Sequence, residues 1–331
     1  MMICKICQNA KNNQVYEARE MMFGLKDKFT YFQCGNCECL QISEIPQDMS
    51  KYYPENYYSF NDELPIPRQR NNFLIEFVRK YRNDYAVFKK GLIGKAIHTV
   101  YPNKKLDRLV ENYFPFNGPE DTFNKSSRIL EVGCGNGELL FALKEVGFEN
   151  VLGIDPFIKE TIKYPNGLSI LKTTIHAVNG EYDFIVFHHS FEHVADPLET
   201  IRSVTRLLAK DGICLIRIPT VSSYAWECYR ENWVQLDCPR HFFLHSIRSM
   251  EILSNKAKLK LIKIIYDSGD FQFWASEQYL QDIPLTSQKS YSTNRSESIF
   301  SENDIQNFRR KADILNKDNK GDQAAFYFQK L

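Results

Sequence analysis

A short apolar run that leads into three glycines on alternate positions constrains the fold of this chain more than any other feature. The stretch reads RILEVGCGNGELL over residues 128–140, with Gly133, Gly135 and Gly137 between the apolar run and a helix-like segment. In parallel sheets, ligands bind where a strand ends in such a turn, because the backbone can approach the ligand at the helix N-terminus. The stretch therefore predicts a ligand-binding turn after a buried strand.

Two common ligands do not fit this turn. A dinucleotide fingerprint requires glycine or alanine at the position that Glu138 occupies, and a carboxylate at the start of a helix repels a pyrophosphate. A P-loop requires a lysine followed by serine or threonine after the glycines, and neither is present. The pattern that remains is E-x-G-x-G-x-G, with Glu131 closing the strand.

The rest of the chain after Arg128 alternates short apolar runs with amphipathic segments, which predicts parallel strands joined by helical crossovers. The fold class is therefore α/β, with a doubly wound Rossmann-like sheet. Strands are predicted at RILEV, VLGID, DFIVFHH, ICLIRIP and LKLIKIIYD, with helices such as ELLFALKEV and PLETIRSVTRLLAK between them.

A single acid follows the second predicted strand. VLGIDP places Asp155 eighteen residues after Gly137, at a position where a carboxylate can accept both hydroxyls of a ribose. These residues, with EYDFIVFHHSFEHVADPLETIRSVTRLLAKDGICLIRIP downstream, resemble the class I S-adenosylmethionine-dependent methyltransferases. The resemblance implies that S-adenosylmethionine is the cofactor, and that it contacts Glu131, Gly133, Cys134, Gly135, Gly137, Asp155, Pro156 and His188. The acid that this superfamily often carries after strand three is missing from TTIHAV.

Five of the nine cysteines lie in the first forty residues. Cys4 and Cys7 form one CxxC pair, Cys34 and Cys37 form a second, and this spacing is typical of a zinc ribbon with four thiolates around a structural Zn²⁺. Cys39 is a spare, interpreted as a packing residue or an alternative ligand. Buried thiols without metal are the alternative, and a redox pair fits less well, because neither pair follows a thioredoxin-like strand.

Composition excludes few partners. The formal net charge is +1, which gives no general attraction to nucleic acid or to an anionic membrane. No apolar run is long enough to span a bilayer, and the N-terminus lacks the pattern of a secretory signal. A cytoplasmic protein is predicted.

The predicted organisation has three parts. Residues 1–60 form the zinc-ribbon lobe with the Tyr-rich KYYPENYYSF, residues 61–122 form a helical linker or lid that begins near LPIPRQ, and residues 123–331 form the methyltransferase domain. Within that domain, residues 220–245 form a cap insertion and residues 269–331 a C-terminal extension.

A zinc-ribbon lobe before this domain resembles sugar C-methyltransferases and related enzymes of surface-polysaccharide pathways. WVQLDCPRHFFLHSIRSMEILSNKAKLKLIKI is similar to a signature of a group from polysaccharide gene clusters. Where the sugar C-methyltransferases have a Glu-His pair, this chain has Arg240 and His241, which puts carbon methylation in doubt. Arg240 would suit a phosphate or carboxylate on the acceptor. The resemblance implies a small, sugar-like acceptor, and the near-zero net charge predicts that nucleic acid is not a partner.

Two histidines are the candidates for the base that takes a proton from the acceptor. His193 follows Glu192 in the turn after strand four, and His241 lies in the cap insertion. A helix-capping role is the alternative for His193. The tryptophans Trp226, Trp233 and Trp274 could stack on an acceptor ring, although buried packing is the safer prediction.

Two rival functions remain open. An RNA methyltransferase would also place a zinc ribbon before such a domain, and a non-catalytic partner would keep the fold as a binding module. The near-zero net charge weighs against RNA, and the intact Glu131, glycines and Asp155 weigh against a non-catalytic module.

Overall fold

The computed structural model describes residues 2–54, 73–104, 106–107, 110 and 123–331 of the chain. The end of KYYPENYYSF beyond Pro54, the LPIPRQ segment and parts of the predicted helical linker lie outside the described residues. The contacts divide the chain into two compact units. The first unit holds residues 1–55, 189–206 and 213–331, and the second holds residues 56–188 and 207–212.

The strands and helices, in chain order, agree closely with the predicted alternation. The strands are β1 (Gln14–Arg19), β2 (Lys28–Gln33), β3 (Leu40–Ile42), β4 (Ile129–Val132), β5 (Val151–Ile154), β6 (Ile162–Lys163), β7 (Ser169–Leu171), β8 (Tyr182–His188), β9 (Leu208–Pro219), β10 (Phe243–Leu244), β11 (Leu259–Tyr266) and β12 (Gln323–Lys330). The α-helices are α1 (Phe73–Phe88), α2 (Leu92–Val100), α3 (Glu138–Val146), α4 (Pro197–Leu207), α5 (Tyr224–Tyr229), α6 (Ile247–Lys256), α7 (Phe271–Leu280) and α8 (Glu302–Lys317).

The second unit is built on a mostly parallel sheet. Its strand order is β8-β4-β5-β7-β6, where β8, β4, β5 and β7 are parallel and β6 pairs antiparallel with β7. The first strand of the series, β4, therefore has β5 on one side and β8 on the other. The chain reverses its direction of travel across the sheet at β4, and such a switch point is where open α/β sheets bind ligands.

Apolar burial explains why the segments of the second unit fold as they do. Helix α3 buries Leu139, Leu140 and Leu143. It ends at Gly147, whose left-handed φ of 101° costs glycine little because glycine has no Cβ atom. Phe88 of α1 stacks on Phe148, with ring centroids 5.8 Å apart. Burying one such side chain contributes about 1.5–3 kcal/mol, so this face holds the helices to the sheet.

The first unit combines two antiparallel arrangements. One is a four-stranded sheet in the order β1-β2-β3-β10, and in the other β12 pairs with both β11 and the end of β9. Strand β10 comes from the predicted cap insertion, and it pairs with β3 of the cysteine-rich N-terminal segment. The insertion therefore contributes a strand to the sheet of the N-terminal lobe, which the sequence did not indicate.

The predicted α/β fold with a parallel central sheet is confirmed. One boundary differs from the prediction, because LAKDG extends β9 back to Leu208, whereas the sequence suggested a helix as far as Lys210. Among the described residues, no helix combines the length and the apolar character needed to cross a membrane.

Candidate functional site

The glycine turn between β4 and α3 belongs to the second unit. Gly133, Gly135 and Gly137 all have left-handed φ values, of 72°, 55° and 80°. At Gly137 the left-handed backbone favours glycine, and a Cβ atom would also lie 2.5 Å from Cδ1 of Ile170 and displace that side chain. The turn therefore exposes backbone rather than side chains at the start of α3, as the sequence predicted.

Asp155 is held under this turn by main-chain hydrogen bonds. The Gly135 amide donates to Oδ2 at 2.9 Å, and the Phe157 amide donates to Oδ1 at 2.8 Å. The side chain is buried, and Pro156 beside it is half-buried. A carboxylate oxygen can accept more than one hydrogen bond, so a side chain held in this way is a suitable acceptor for ribose hydroxyls. The sequence-predicted pair of glycine turn and acid is thus brought together.

Glu131 closes β4 as a buried carboxylate. It is 3% exposed, and within the described part of the chain its Oε2 has no hydrogen-bond partner. Burial, with Asp155 and Glu138 nearby, raises the pKa of Glu131 to about 8. A buried acceptor without a donor carries a desolvation penalty, which a cationic or hydrogen-bonding ligand would relieve.

The remaining predicted cofactor residues are placed less specifically. The Cys134 thiol occupies the space beside Gly153 of β5, where a Cβ would approach the sulfur to 2.6 Å, so its side chain packs inside the unit. His188 ends β8 and is half-buried. Of the adjacent histidines, His189 is the one that packs within the first unit, with Nε2 2.8 Å from Nη1 of Arg217. A cofactor contact by His188 stays a prediction.

The four predicted zinc ligands converge in the first unit. The Sγ atoms of Cys4, Cys7, Cys34 and Cys37 all lie within 4.8 Å of one another, and two pairs are 3.4 and 3.5 Å apart. Tetrahedral zinc with Zn–S bonds of about 2.3 Å requires sulfurs roughly 3.8 Å apart. The cysteine positions therefore fit a Zn²⁺ ion.

The two CxxC segments have the same local geometry. In each, the residue after the second cysteine is left-handed, Gln8 with a φ of 63° and Glu38 with a φ of 62°. In each, that residue's amide donates 2.9 Å to the carbonyl of the first cysteine. The amides of Asn36 and Cys37 also point at the Cys34 sulfur. Main-chain donors of this kind stabilise a thiolate, which supports the predicted metal site.

Cys39 lies outside this group. It is fully buried, and its sulfur lies 3.9 Å from Nδ1 of His245. Of the two interpretations that the sequence left open, the position favours packing. His245 is itself fully buried, and burial lowers its pKa to about 3, so this imidazole is a neutral packing partner of the thiol.

His193 and His241, the two predicted bases, lie together in the first unit. Their ring centroids are 4.8 Å apart. Nδ1 of His193 lies 2.8 Å from the Arg240 carbonyl, and Nδ1 of His241 lies 2.7 Å from the Gln235 carbonyl. A carbonyl only accepts, so both Nδ1 atoms carry a proton, and in the neutral form of each ring Nε2 keeps the lone pair.

Glu192 completes this group, which we call the histidine cluster (Glu192, His193 and His241). Glu192 is fully buried, and its Oε1 lies 3.5 Å from Nδ1 of His189 and 3.9 Å from Nε2 of His241. Neither of its oxygens makes a hydrogen bond within the described residues. Burial works to raise the pKa of Glu192, but the three neighbouring imidazoles outweigh it and lower the pKa to about 2. Burial and His241 lower the pKa of His193, which favours a neutral ring.

Arg240 does not have the role that the sequence suggested. It is fully buried, and its guanidinium bonds to Asp237 at 2.6 Å and to Glu20 at 3.0 Å. A guanidinium already held by two carboxylates is not available to an acceptor phosphate. The prediction of an anion-binding Arg240 is therefore wrong, and the residue is a buried ion-pair partner.

The three tryptophans are buried, as the safer prediction had it. Trp226, Trp233 and Trp274 are 2%, 1% and 8% exposed, and the Trp233 indole donates to Asp322 at 3.0 Å. None of the three offers a free ring face for stacking on an acceptor.

Comparison with known proteins gives one family match and several distant relatives. Residues 101–264, just under half of the chain, match a family model described as a methyltransferase domain. The tRNA U34 carboxymethyltransferase of Campylobacter fetus subsp. fetus (strain 82-40) is 23% identical over 175 residues, which are 48% of this chain and 61% of that protein. YqeM of Bacillus subtilis (strain 168), which carries a provisional methyltransferase name, is 23% identical over 63% of this chain and 86% of its own length.

The chain thus spans about three fifths of the length of the tRNA-modifying relative. Among solved structures, an S-adenosylmethionine-dependent methyltransferase from Archaeoglobus fulgidus is 16% identical, covering 78% of this chain and 100% of its own, with a TM-score of 0.40. At this TM-score the overall similarity is too low to support a fold assignment, which depends instead on the strand order and the family match.

Proposed function

We propose, on the premise that residues 101–264 form a class I methyltransferase domain, that this protein transfers a methyl group from S-adenosylmethionine to an acceptor. One observation carries the proposal. Asp155, the acid directly after β5, is tied to the glycine turn after β4, at the switch point of the parallel sheet. The turn and the acid lie within a single compact unit, so the proposed donor site does not depend on how the two units are arranged.

The residues of this turn fit the donor chemically. Asp155 would accept hydrogen bonds from the ribose hydroxyls, and the amides around Gly135 would contact the donor through the backbone. The unpaired Oε2 of Glu131 would face one of the donor's cationic groups. S-adenosylmethionine supplies an already activated methyl group, so the protein has to align the acceptor and dispose of one proton.

RNA is the acceptor class that we place first. The support is the Campylobacter relative, a tRNA U34 carboxymethyltransferase by name, which matches about half of this chain. A net charge of +1 provides no general attraction to a polyanion, so recognition would depend on local contacts. The sugar acceptor predicted from the sequence is the second candidate. The sequence resemblance around His241 still supports a sugar acceptor, but Arg240 is held in ion pairs and no longer supports one.

A transfer assay with labelled donor separates these acceptors. The full chain is incubated with methyl-labelled S-adenosylmethionine and either total RNA or a panel of nucleotide-linked sugars. For the RNA function, we expect acid-precipitable label that ribonuclease releases. Label that stays acid-soluble and appears only with the sugar panel would reverse the order of the two candidates, and no transfer to either would contradict both.

His193 and His241 remain the proposed source of proton removal from the acceptor. Each has a bare Nε2, which is what a general base requires. An imidazole nitrogen with a lone pair can take a proton or bind a cation, but not both at once. The proposed role as a base therefore applies to the protein without a cation bound to these histidines.

The pKa of Glu131 leads to a pH prediction for donor binding. A cationic donor favours the ionised carboxylate, whereas the free protein holds Glu131 protonated below its pKa of about 8. Donor affinity should therefore rise as the pH rises toward 8, by roughly tenfold per unit at most, and binding at pH 7 should release close to one proton. Calorimetry in buffers of different ionisation enthalpy measures that proton.

Glu131→Gln is the matched control for this prediction. The amide has nearly the same shape but cannot ionise, so both the proton release and the pH slope below 8 should disappear. If the wild-type protein and the variant show the same slope, Glu131 does not titrate with donor binding.

A further inference from the structure

The histidine cluster has the composition of a metal site that is independent of the cysteines. We propose that Glu192, His193 and His241 bind one divalent first-row transition-metal cation in the first unit. This inference goes beyond methyl transfer and does not require the donor to bind.

The two imidazoles are oriented as metal ligands are. Each donates its Nδ1 proton to a main-chain carbonyl, His193 to Arg240 and His241 to Gln235, at 2.8 and 2.7 Å. Metal-binding histidines nearly always make this outer bond, which fixes the ring and leaves Nε2 as the ligand atom. The tautomers required for ligation are therefore already set by the backbone.

The three ligand atoms lie close enough for one ion. One ring nitrogen of each histidine and one oxygen of Glu192 all lie within 4.8 Å of one another, and Nε2 of His241 lies 3.9 Å from Oε1 of Glu192. A point then exists within about 2.8 Å of all three, so shifts of roughly 0.7 Å would give bonds of about 2.0–2.2 Å. Small side-chain rotations supply shifts of that size.

The surroundings carry an excess of negative charge. Three carboxylates, the fully buried Glu20 and Glu192 and the half-buried Asp237, accompany a single guanidinium, Arg240. Arg240 pairs with Glu20 and Asp237, whereas neither oxygen of Glu192 has a hydrogen bond within the described residues. A buried anion whose nearest partners are imidazoles 3.5 and 3.9 Å away is costly, and a divalent cation would balance the two excess charges.

The donor set indicates which cations bind. Two imidazole nitrogens and one carboxylate oxygen suit Zn²⁺, Fe²⁺, Co²⁺ or Ni²⁺, whereas Mg²⁺ and Ca²⁺ prefer oxygen ligands alone. Three protein ligands also leave a position open for a water molecule or an acceptor oxygen. A bound cation would occupy both Nε2 atoms and would itself acidify the oxygen at that position, replacing the histidines as the means of proton removal.

Metal counting on the full chain tests the site. The protein is loaded with Zn²⁺, passed through a desalting column and analysed by mass spectrometry. We expect Glu192→Gln and His193→Asn each to hold one equivalent less than the wild-type protein. His98→Asn is the matched control, because His98 pairs with Asp107 outside the cluster, and it should keep the wild-type count. Equal counts in all four proteins would overturn the proposal.

A cobalt titration of the wild-type protein removes any dependence on variant folding. With the cysteines first filled by Zn²⁺, Co²⁺ should bind as one further equivalent with visible absorption but no thiolate charge-transfer band. Absence of that uptake, or an added band from sulfur ligands, would overturn the site. Neither measurement uses S-adenosylmethionine or an acceptor, so a failure here is distinct from a failure of the proposed methyl transfer.

Discussion

Cys34→Ser is expected to remove one equivalent of zinc from the protein and to unfold the cysteine-rich sheet. Cys34 is 1% exposed, and its sulfur accepts two main-chain amides besides facing Cys7 at 3.4 Å. A structural zinc contributes about 10–16 kcal/mol of apparent binding free energy in small domains, and a serine hydroxyl cannot replace the thiolate. We expect a loss of at least several kcal/mol, and a fall in Tm of about 10 °C or more.

The measurement combines metal analysis with thermal unfolding. Cys228→Ser is the matched control, because Cys228 is exposed and lies outside the cysteine group, so its zinc content and Tm should stay at wild-type values. Addition of a strong chelator to the wild-type protein should reproduce the Cys34→Ser result. An unchanged zinc content in Cys34→Ser would show that the four cysteines do not hold a metal.

Arg240→Met is expected to destabilise the first unit by about 3–5 kcal/mol, since removing one partner of a buried ion pair leaves the other charges uncompensated. Arg240 is fully buried and bonds to both Glu20 and Asp237, and Glu20 is fully buried as well. Methionine keeps most of the side-chain volume, so the loss is electrostatic rather than a cavity effect. Arg248→Met is the control, because Arg248 is exposed and bonds only to Asn36 within the described residues, and it should change stability by less than about 0.5 kcal/mol.

The pH dependence distinguishes a charge effect from a packing effect. In the wild-type protein, burial works to raise the pKa of Asp237, but Arg240 lowers it overall. The ion pair therefore stabilises the fold at pH values above the unfolded pKa of about 4, and this stabilisation is lost as the pH falls through the folded pKa. In Arg240→Met, Asp237 lacks its cation and its folded pKa rises. The loss in free energy of unfolding of Arg240→Met relative to wild type, measured by chemical denaturation, should therefore be smaller at pH 5 than at pH 7. A deficit that is constant with pH would indicate a packing effect instead.

Local sequence patterns predicted the parts of the sites that depend on short stretches of chain. The glycine turn and the CxxC pairs each fit within a few residues, and the left-handed φ at Gly137, Gln8 and Glu38 follows from the turn that each stretch must make. The parallel strands were predictable too, because each is an apolar run bounded by polar residues.

Contacts between distant segments could not be predicted in this way. Glu20 meets Arg240 across 220 positions of chain, and no local pattern signals that pairing. Arg240 was therefore interpreted as a residue that binds an anion of the acceptor, whereas the fold buries it in ion pairs. The sequence predicted part of the histidine cluster: His193 and His241 were identified as candidate bases, but Glu192 was given no role. The signal was present in the adjacent Glu192-His193 pair, yet only the tertiary structure shows that His241 joins it.

Binding of S-adenosylmethionine to the glycine turn is the central claim, and calorimetry on the full chain tests it most directly. We predict one binding site in the wild-type protein and an affinity about 100-fold weaker in Asp155→Ala, because hydrogen bonds to a charged group contribute about 1.5–3 kcal/mol each. Glu160→Ala, at an exposed acid five residues further along, should bind like the wild-type protein. No heat of binding with the wild-type protein, or equal affinities in all three proteins, would contradict the account.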